Sequence, residues 1–315
     1  MGKNDTLTKH YLGQNAVFAD AFNYYLFNGK QVIKPEDLKE QDPTEIAMIR
    51  KLGQVFPNQK YRDVLRHCTI RRNKSATFVL LGLESQSDIH YAMPVRDYLY
   101  DALNYAAQVE EIRKKHSIEH DLHDPTEFLS GFSKKDTILP VITLCICFDK
   151  AKWEAPRSLY DMFGKVEPWV KKYVDNYRLN LITPGEIKDF NKFSSELGIV
   201  LECIQNSDDN HRLHDIMESK EKYRSVDVAT IDLINAYTST NIFTSEVEGG
   251  KVDMCKAIDD MIEEGRIEGR KEGREDVMAE IKQLRASGLS ADQILKKIEQ
   301  NANRKPRARK KSKDY

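Results

Sequence analysis

The sequence predicts an α/β fold, and three stretches carry that expectation. Tyr61–Gln86 reads as strand, tight turn, strand. Thr137–Phe148 is an apolar run, I-L-P-V-I-T-L-C-I-C-F, of the kind that forms a strand buried on both faces. Amphipathic helical patterns flank the hairpin, over Asn15–Phe27 before it and His90–His116 after it. At 315 residues the chain can hold one large domain or two small ones. A net charge of −1 excludes a globally basic nucleic-acid binder, so any contact with DNA must be local. Cys68, Cys145, Cys147, Cys203 and Cys255 have no framework spacing and read as buried free thiols, which suits a reducing, cytoplasmic setting. The sequence shows neither a secretory signal nor an apolar run approaching a membrane span, so no membrane partner is expected.

In chain order, residues 1–14 look like a loose polar lead-in. Asn15 is expected to cap the first helix and Gly29 to stop it, with Val17, Phe18, Ala21, Phe22 and Tyr25 as its apolar stripe. Residues 30–59 carry Pro35, Pro43 and many charges, with a short helix expected within 37–52. In the hairpin, Asp63 shares a strand face with Tyr61 and Leu65, and Glu84 follows the apolar run Phe78–Leu83. Side chains alternate along a strand, so Glu84 and Gln86 point one way and Ser85 the other. Adjacent strands bring facing residues to within about 5 Å, so Asp63 and Glu84 can meet at one end of the ribbon. Such an all-oxygen arrangement suits a hard divalent cation, while structural pairing by Arg62, Arg66, Arg71 or Arg72 is the competing reading.

The helix after Pro94 is expected to bury Val95, Leu99, Ala102 or Leu103, and Ala106. Arg96 and Tyr100 lie one turn apart on another face, as do Asp97 and Asp101. His120, Asp121, His123 and Asp124 form a cluster that reads as a solvated loop rather than a metal site. Beyond Arg157 the chain reads mainly as helices, over 157–163, 168–177, 186–207 and 212–241, with a short strand or loop at Leu179–Ile182. Glu264-Gly265-Arg266, Glu268-Gly269-Arg270 and Glu272-Gly273-Arg274 repeat every four residues and place the glycines on one stripe of a helical arm. Each glycine costs ~1 kcal/mol against alanine, which points either to a close-packed partner helix or to a fraying arm. Ser290 with Gln293 forms a capping box for a last short helix after Gly288. The final stretch, with Arg304, Lys305, Arg307, Arg309, Lys310 and Lys311, is densely basic and reads either as a solubilising tail or as a phosphate-binding one.

The segments A-D-A-F-N-Y-Y-L-F-N-G-K-Q-V-I-K-P-E, Y-R-D-V-L, L-L-G-L-E-S-Q, H-Y-A-M-P-V-R-D-Y-L-Y-D-A-L-N-Y and F-L-S-G-F, in this order, resemble the recombination-promoting nuclease / putative transposase family of the PD-(D/E)xK nuclease superfamily. The resemblance implies a restriction-endonuclease-like αβββαβ core with a C-terminal helical extension. It divides the chain into a nuclease core at 1–165, a helical region packed on it at 166–250, the glycine-repeat arm with a helical hairpin at 251–300, and a disordered basic tail at 301–315. It implies a Mg²⁺-dependent DNA endonuclease, with Mn²⁺ able to substitute. Asp63, Glu84 and Gln86 would be the catalytic residues, and Asp63, Glu84 and the Ser85 carbonyl the metal ligands. Asp20 and Arg96 would be accessory. DNA is the expected partner, with a homo-oligomer formed through the C-terminal helices. Gln86 departs from the superfamily's usual lysine: it carries no charge and can only orient water or phosphate by hydrogen bonds. The alternative is a catalytically weak or inactive nuclease fold that binds DNA or assembles partners.

Overall fold

The computed structural model describes residues 3–40, 64–72, 75–238, 240, 242 and 250–302. Residues 1–255 form one compact unit and residues 256–315 a second. The first is a mixed α/β structure around a five-stranded sheet.

Its chain order begins with α1 (Lys3–Leu12) and α2 (Asn15–Phe27). The lead-in expected to be loose is therefore a helix. Its few apolar residues would not hold it alone, but it buries Thr8, Tyr11 and Leu12, and the Thr8 hydroxyl meets the Tyr237 hydroxyl at 2.8 Å. Asn15 is the first helical residue rather than a side-chain cap, and its amide donates to the Pro35 carbonyl. The stop is as expected, with Asn28 and Gly29 both at positive φ. Gly29 has a second reason to be glycine, since a Cβ there would lie 2.6 Å from the Lys192 carbonyl oxygen.

The sheet follows: β1 (Leu38–Glu40), β2 (Val64–Arg72), β3 (Ser75–Gln86), β4 (Val141–Cys147) and β5 (Leu181–Ile182) lie side by side in that order. The β1–β2 and β2–β3 pairs are antiparallel, and β3–β4 and β4–β5 are parallel. The hairpin matches the sequence expectation, with its strands reaching to Arg72 and from Ser75. Residues 38–40 form a strand, and the rest of the stretch in which a short helix is expected lies outside the described residues. Leu80, Leu81, Leu83 and Glu84 are all essentially fully buried, so β3 is covered on both faces.

Between β3 and β4 runs α3 (Met93–Glu119), with Pro94 in its first turn, where its missing N–H costs nothing. It is followed by α4 (Pro125–Ser130). The expected stripe of α3 is wrong. Val95, Ala102 and Ala106 are exposed and Leu99 and Leu103 half-buried, while Asp97, Tyr100, Asp101, Asn104 and Ala107 are buried. The helix turns a largely polar face to the sheet. The His-Asp cluster is structural: Asp124 caps α4 through the Thr126 and Glu127 amides, and Asp121 holds His116.

After β4, helix content is lower than the sequence suggests. Only Leu159–Met162 (α5) is helical in 157–163, and 168–177 holds one 3-10 turn, Val170–Lys172. Gly164, Pro168 and β-branched Val166 and Val170 disfavour a longer helix. Residues 186–207 give a 3-10 turn, Phe190–Lys192, and α6 (Leu197–Gln205), and 210–237 divide into α7 (Asn210–Ser219) and α8 (Val228–Tyr237). A small ribbon, β6 (Val226–Asp227) with β7 (Lys251–Val252), closes the unit. β5 comes from beyond residue 165, so the sheet extends past the boundary expected for the core. Four cysteines are buried and Cys255 is half-buried, all of them free.

α9 (Met254–Ala286) runs into the second unit, where the E-G-R repeats are helical throughout, and α10 (Ala291–Ala302) follows a turn at Gly288. The capping box forms: the Ser290 amide donates to Gln293 at 3.0 Å and the Gln293 amide to Ser290 at 3.5 Å. A methyl group built on Gly269 or Gly273 would meet nothing within 4 Å. Among the described residues, no helix is long and apolar enough to cross a membrane.

One local tie is pH-sensitive. His116 lies 2.6 Å from Asp121 and 2.8 Å from Asp136 through its two ring nitrogens, and these bonds raise its pKa above the ordinary 6.5. The Asp121 pKa is lowered from 3.8 by His116, and that of Asp136 by the Ser133 amide and then by His116. The folded state therefore holds the histidine proton more tightly. The tie is complete below pH 6.5 and lost as pH rises through the raised value; it is also lost as pH falls below 3.8 and the carboxylates protonate. Protection of the Ser133 amide against hydrogen exchange, corrected for base catalysis, is expected to drop as pH rises above 6.5 in the wild type and to be low throughout in His116→Ala. A flat wild-type profile would contradict it.

Candidate functional site

The β2–β3 and β3–β4 registers place the site. Val64 pairs with Leu83, Gly82 with Thr143 and Glu84 with Cys145. Alternation puts Gly82, Glu84 and Gln86 on one face together with Thr143 and Cys145. Thr143 donates its hydroxyl to Asp101, which sets α3 over that face. The polar face of α3 therefore lies against the C-terminal ends of β3 and β4.

Glu84 is 1% exposed, and its Oε1 accepts hydrogen bonds from the Arg96 guanidinium and, at 3.2 Å, from Gln86 Nε2. Gln86 Nε2 also donates to the Ser85 carbonyl at 2.7 Å. Two oxygens, Glu84 Oε1 and the Ser85 carbonyl, thus converge on a single amide nitrogen. Arg96 is steered by the Tyr100 hydroxyl, which accepts from its Nε at 3.2 Å, and its guanidinium lies 5.7 Å from the Tyr100 ring centre. His90 lies close enough for its pKa to be lowered, first by burial and then by the Arg96 charge. An ionised carboxylate in such surroundings requires a compensating charge, and Arg96 supplies one.

Asp97 is buried one turn before Asp101. Asp101 accepts from Thr143 and, at 2.7 Å, from the Tyr177 hydroxyl, and the Tyr177 ring lies 5.1 Å from that of Tyr98. Burial raises the Cys145 thiol well above its usual pKa, and the charges of Asp97 and Glu84 raise it further. Glu84 and Asp97 therefore lie near Cys145, and Asp101 meets β4 at Thr143. Sequence reasoning passes over Asp97 and Asp101 as core groups, although with Tyr100 and Asn104 they fall at the spacing of one helix face. Among the described residues, no group of three or more His, Cys, Asp and Glu side chains is set to hold a metal ion.

Of the residues singled out from sequence, Glu84, Ser85, Gln86 and Arg96 come together. Of the arginines weighed as structural partners of Glu84, Arg66 bonds instead to the Gly13 and Leu65 carbonyls, and Arg71 pairs with Asp37. Asp20 has a different task. Its Oδ1 accepts from the Ser194 amide and hydroxyl, both at 2.9 Å, and its Oδ2 from the Ser195 amide at 2.9 Å and hydroxyl at 2.6 Å. Four donors satisfy the acceptor capacity of a carboxylate, so Asp20 clamps α2 to the entry of α6. Asp63, Arg304, Lys305, Arg307, Arg309, Lys310 and Lys311 lie outside the described residues.

No family model, curated protein or solved structure matches the chain.

Two substitutions separate these roles. Arg96→Ala leaves the buried Glu84 without its guanidinium and is expected to cost about 3–5 kcal/mol in urea unfolding, much of it recovered in Arg96→Met/Glu84→Gln. If the single variant is as stable as wild type, Arg96 does not compensate Glu84. Asp20→Ala is expected to cost about 3 kcal/mol through the lost charged hydrogen bonds. A wild-type unfolding midpoint for Asp20→Ala would contradict the clamp.

Proposed function

We propose that the chain is a metal-dependent DNA endonuclease similar to the recombination-promoting nuclease / putative transposase family, with a restriction-endonuclease-like αβββαβ core. The observation that carries this reading is the convergence of Glu84 Oε1 and the Ser85 carbonyl on the Gln86 amide, beside the Arg96 cation. The succession α2-β1-β2-β3-α3-β4, with the antiparallel hairpin and a parallel crossover through α3, supports it. Asp63 directly precedes Val64, whose ladder partner Leu83 directly precedes Glu84, and on this reading Asp63 supplies the second carboxylate.

The donors are hard oxygens, which suit Mg²⁺ or Mn²⁺, and Asp63, Glu84 and the Ser85 carbonyl would hold the ion. When bound, it would lower the pKa of a coordinated water and polarise the scissile phosphodiester. Gln86 orients water or phosphate by hydrogen bonds alone, because its amide neither titrates nor carries charge. Arg96 pairs with the buried Glu84, and its planar guanidinium matches a phosphate oxygen pair. Arg304, Lys305, Arg307, Arg309, Lys310 and Lys311 would bind the DNA backbone without sequence preference. α9 and α10 offer the surface for a homo-oligomer. The family's recombination role and a cytoplasmic location are part of the same proposal.

A second reading, a nuclease-fold DNA-binding or assembly protein without turnover, is favoured by glutamine at position 86 and by the pairing of Arg96 with Glu84. Supercoiled plasmid separates the two. Wild-type protein with Mg²⁺ is expected to nick it, a chelator to stop nicking, and Asp63→Ala or Glu84→Ala to abolish it with the circular dichroism spectrum retained. Plasmid that is retarded but uncut by wild type supports the second reading. Variants that nick at the wild-type rate would refute the assignment of Asp63 and Glu84.

A further inference from the structure

The segment 163–178, of which the sequence suggests 168–177 would be helical, instead displays aromatic side chains. Trp169 is 61% exposed and Tyr173 is 82% exposed, their ring centres 6.3 Å apart at 67°. Large aromatics so open to water need a reason, because burial is the usual fate of their apolar area. The segment is also held in shape. The Tyr160 hydroxyl is 2.6 Å from the carbonyls of both Lys171 and Val174, its amide donates to Asn176 at 3.0 Å, and a 3-10 turn spans Val170–Lys172. Lys165, Lys171 and Lys172 are exposed in the same segment, with Lys171 Nζ 5.0 Å from the Tyr160 ring centre. Over 163–178 there are four basic residues against two acidic, Glu167 and Asp175, in a chain of net charge −1.

Two occupants fit exposed tryptophan and tyrosine, a protein partner and unpaired bases. Protein interfaces are depleted of lysine, whereas single-strand binding combines aromatic faces with a cationic track for the backbone. The lysines of the segment favour the second. The segment is also tied to the proposed active site: Tyr177 bonds Asp101 and packs on Tyr98, on the same helix as Arg96.

We propose that Trp169 and Tyr173, in one segment with Lys165, Lys171 and Lys172, form a stacking platform for single-stranded nucleic acid, joined through Tyr177 to the helix that carries Arg96. The proposal rests on the nucleic-acid reading above for its partner and not on hydrolysis. It makes single-stranded or frayed DNA the preferred substrate.

The test uses the full-length chain in chelator, so that binding is read without cleavage. A labelled oligothymidine and a duplex of the same length are titrated by anisotropy, and tryptophan emission is followed with unlabelled oligothymidine. The chain has two tryptophans, and Trp153 is buried, so quenching reports Trp169. Trp169→Ala and Tyr173→Ala are each expected to weaken single-strand binding about tenfold while duplex binding changes little, and quenching is expected to vanish in Trp169→Ala. Both sites are exposed, and an unchanged circular dichroism spectrum verifies folding. Unchanged single-strand affinity in both variants overturns the platform, as does a loss confined to Lys171→Ala and Lys172→Ala that affects both forms equally. Absence of oligothymidine binding at low salt also overturns it. A wild type that discriminates single strand through Trp169 yet never nicks plasmid would keep the platform and refute the hydrolytic reading. Nicking with no effect of Trp169 would do the reverse.

Discussion

A carboxylate held inside a sheet sets the terms for this structure. Glu84 lies at the end of β3 with both sheet faces covered, where an uncompensated charge would cost more than a domain of this size can spare. The Arg96 guanidinium meets it from α3. Together with the bonds of Thr143 and Tyr177 to Asp101, that contact sets which face of α3 turns inward. These contacts explain why the helix buries Asp97, Tyr100, Asp101 and Asn104 while leaving Val95 in water. Thr143 and Tyr177 then satisfy Asp101, so polar order spreads from β3 through β4 to the segment before β5. Polar groups buried in this way suit a site that meets charge better than a core built for stability alone.

The legible part of the fold is the part governed by strand alternation and by long apolar runs. The hairpin, the continuous apolar strand β4, the glycine stop after α2 and the Ser290 capping box all follow from local chemistry, and each is present. The facing of Glu84 and Gln86 to one side is readable from period two alone, and the hydrogen bond between them agrees. The sequence misleads at α3 because an apolar stripe is the usual mark of the buried face, and here tertiary polar partners 42 and 76 residues from Asp101 decide otherwise. α1 is hidden for a related reason: the partners that bury it, Ala236 and Tyr237 at the end of α8, lie 232 and 229 residues from the groups they bond and leave no mark on its own sequence. Asp20 shows the limit of resemblance. The resemblance suggests an accessory role for it, while on α2 both its oxygens accept from two serines far along the chain.

The C-terminal unit raises a separate physical question. The E-G-R repeats are helical although glycine is a poor helix former, and Gly269 and Gly273 meet nothing that would reward the absence of a side chain. A second copy of the chain approaching this stripe would give the glycines their reason. Assembly would then belong to α9 and chemistry to the sheet, each in its own compact unit.

On the proposed reading, Glu84 would exchange its guanidinium partner for a divalent cation. Crystals soaked in Mn²⁺ and measured at the manganese edge test it directly. The account predicts an anomalous peak bonded to Glu84 and the Ser85 carbonyl, with Asp63 completing the cage and Arg96 turned away. Arg96 still seated on Glu84, with no peak beside it at saturating Mn²⁺, would contradict it.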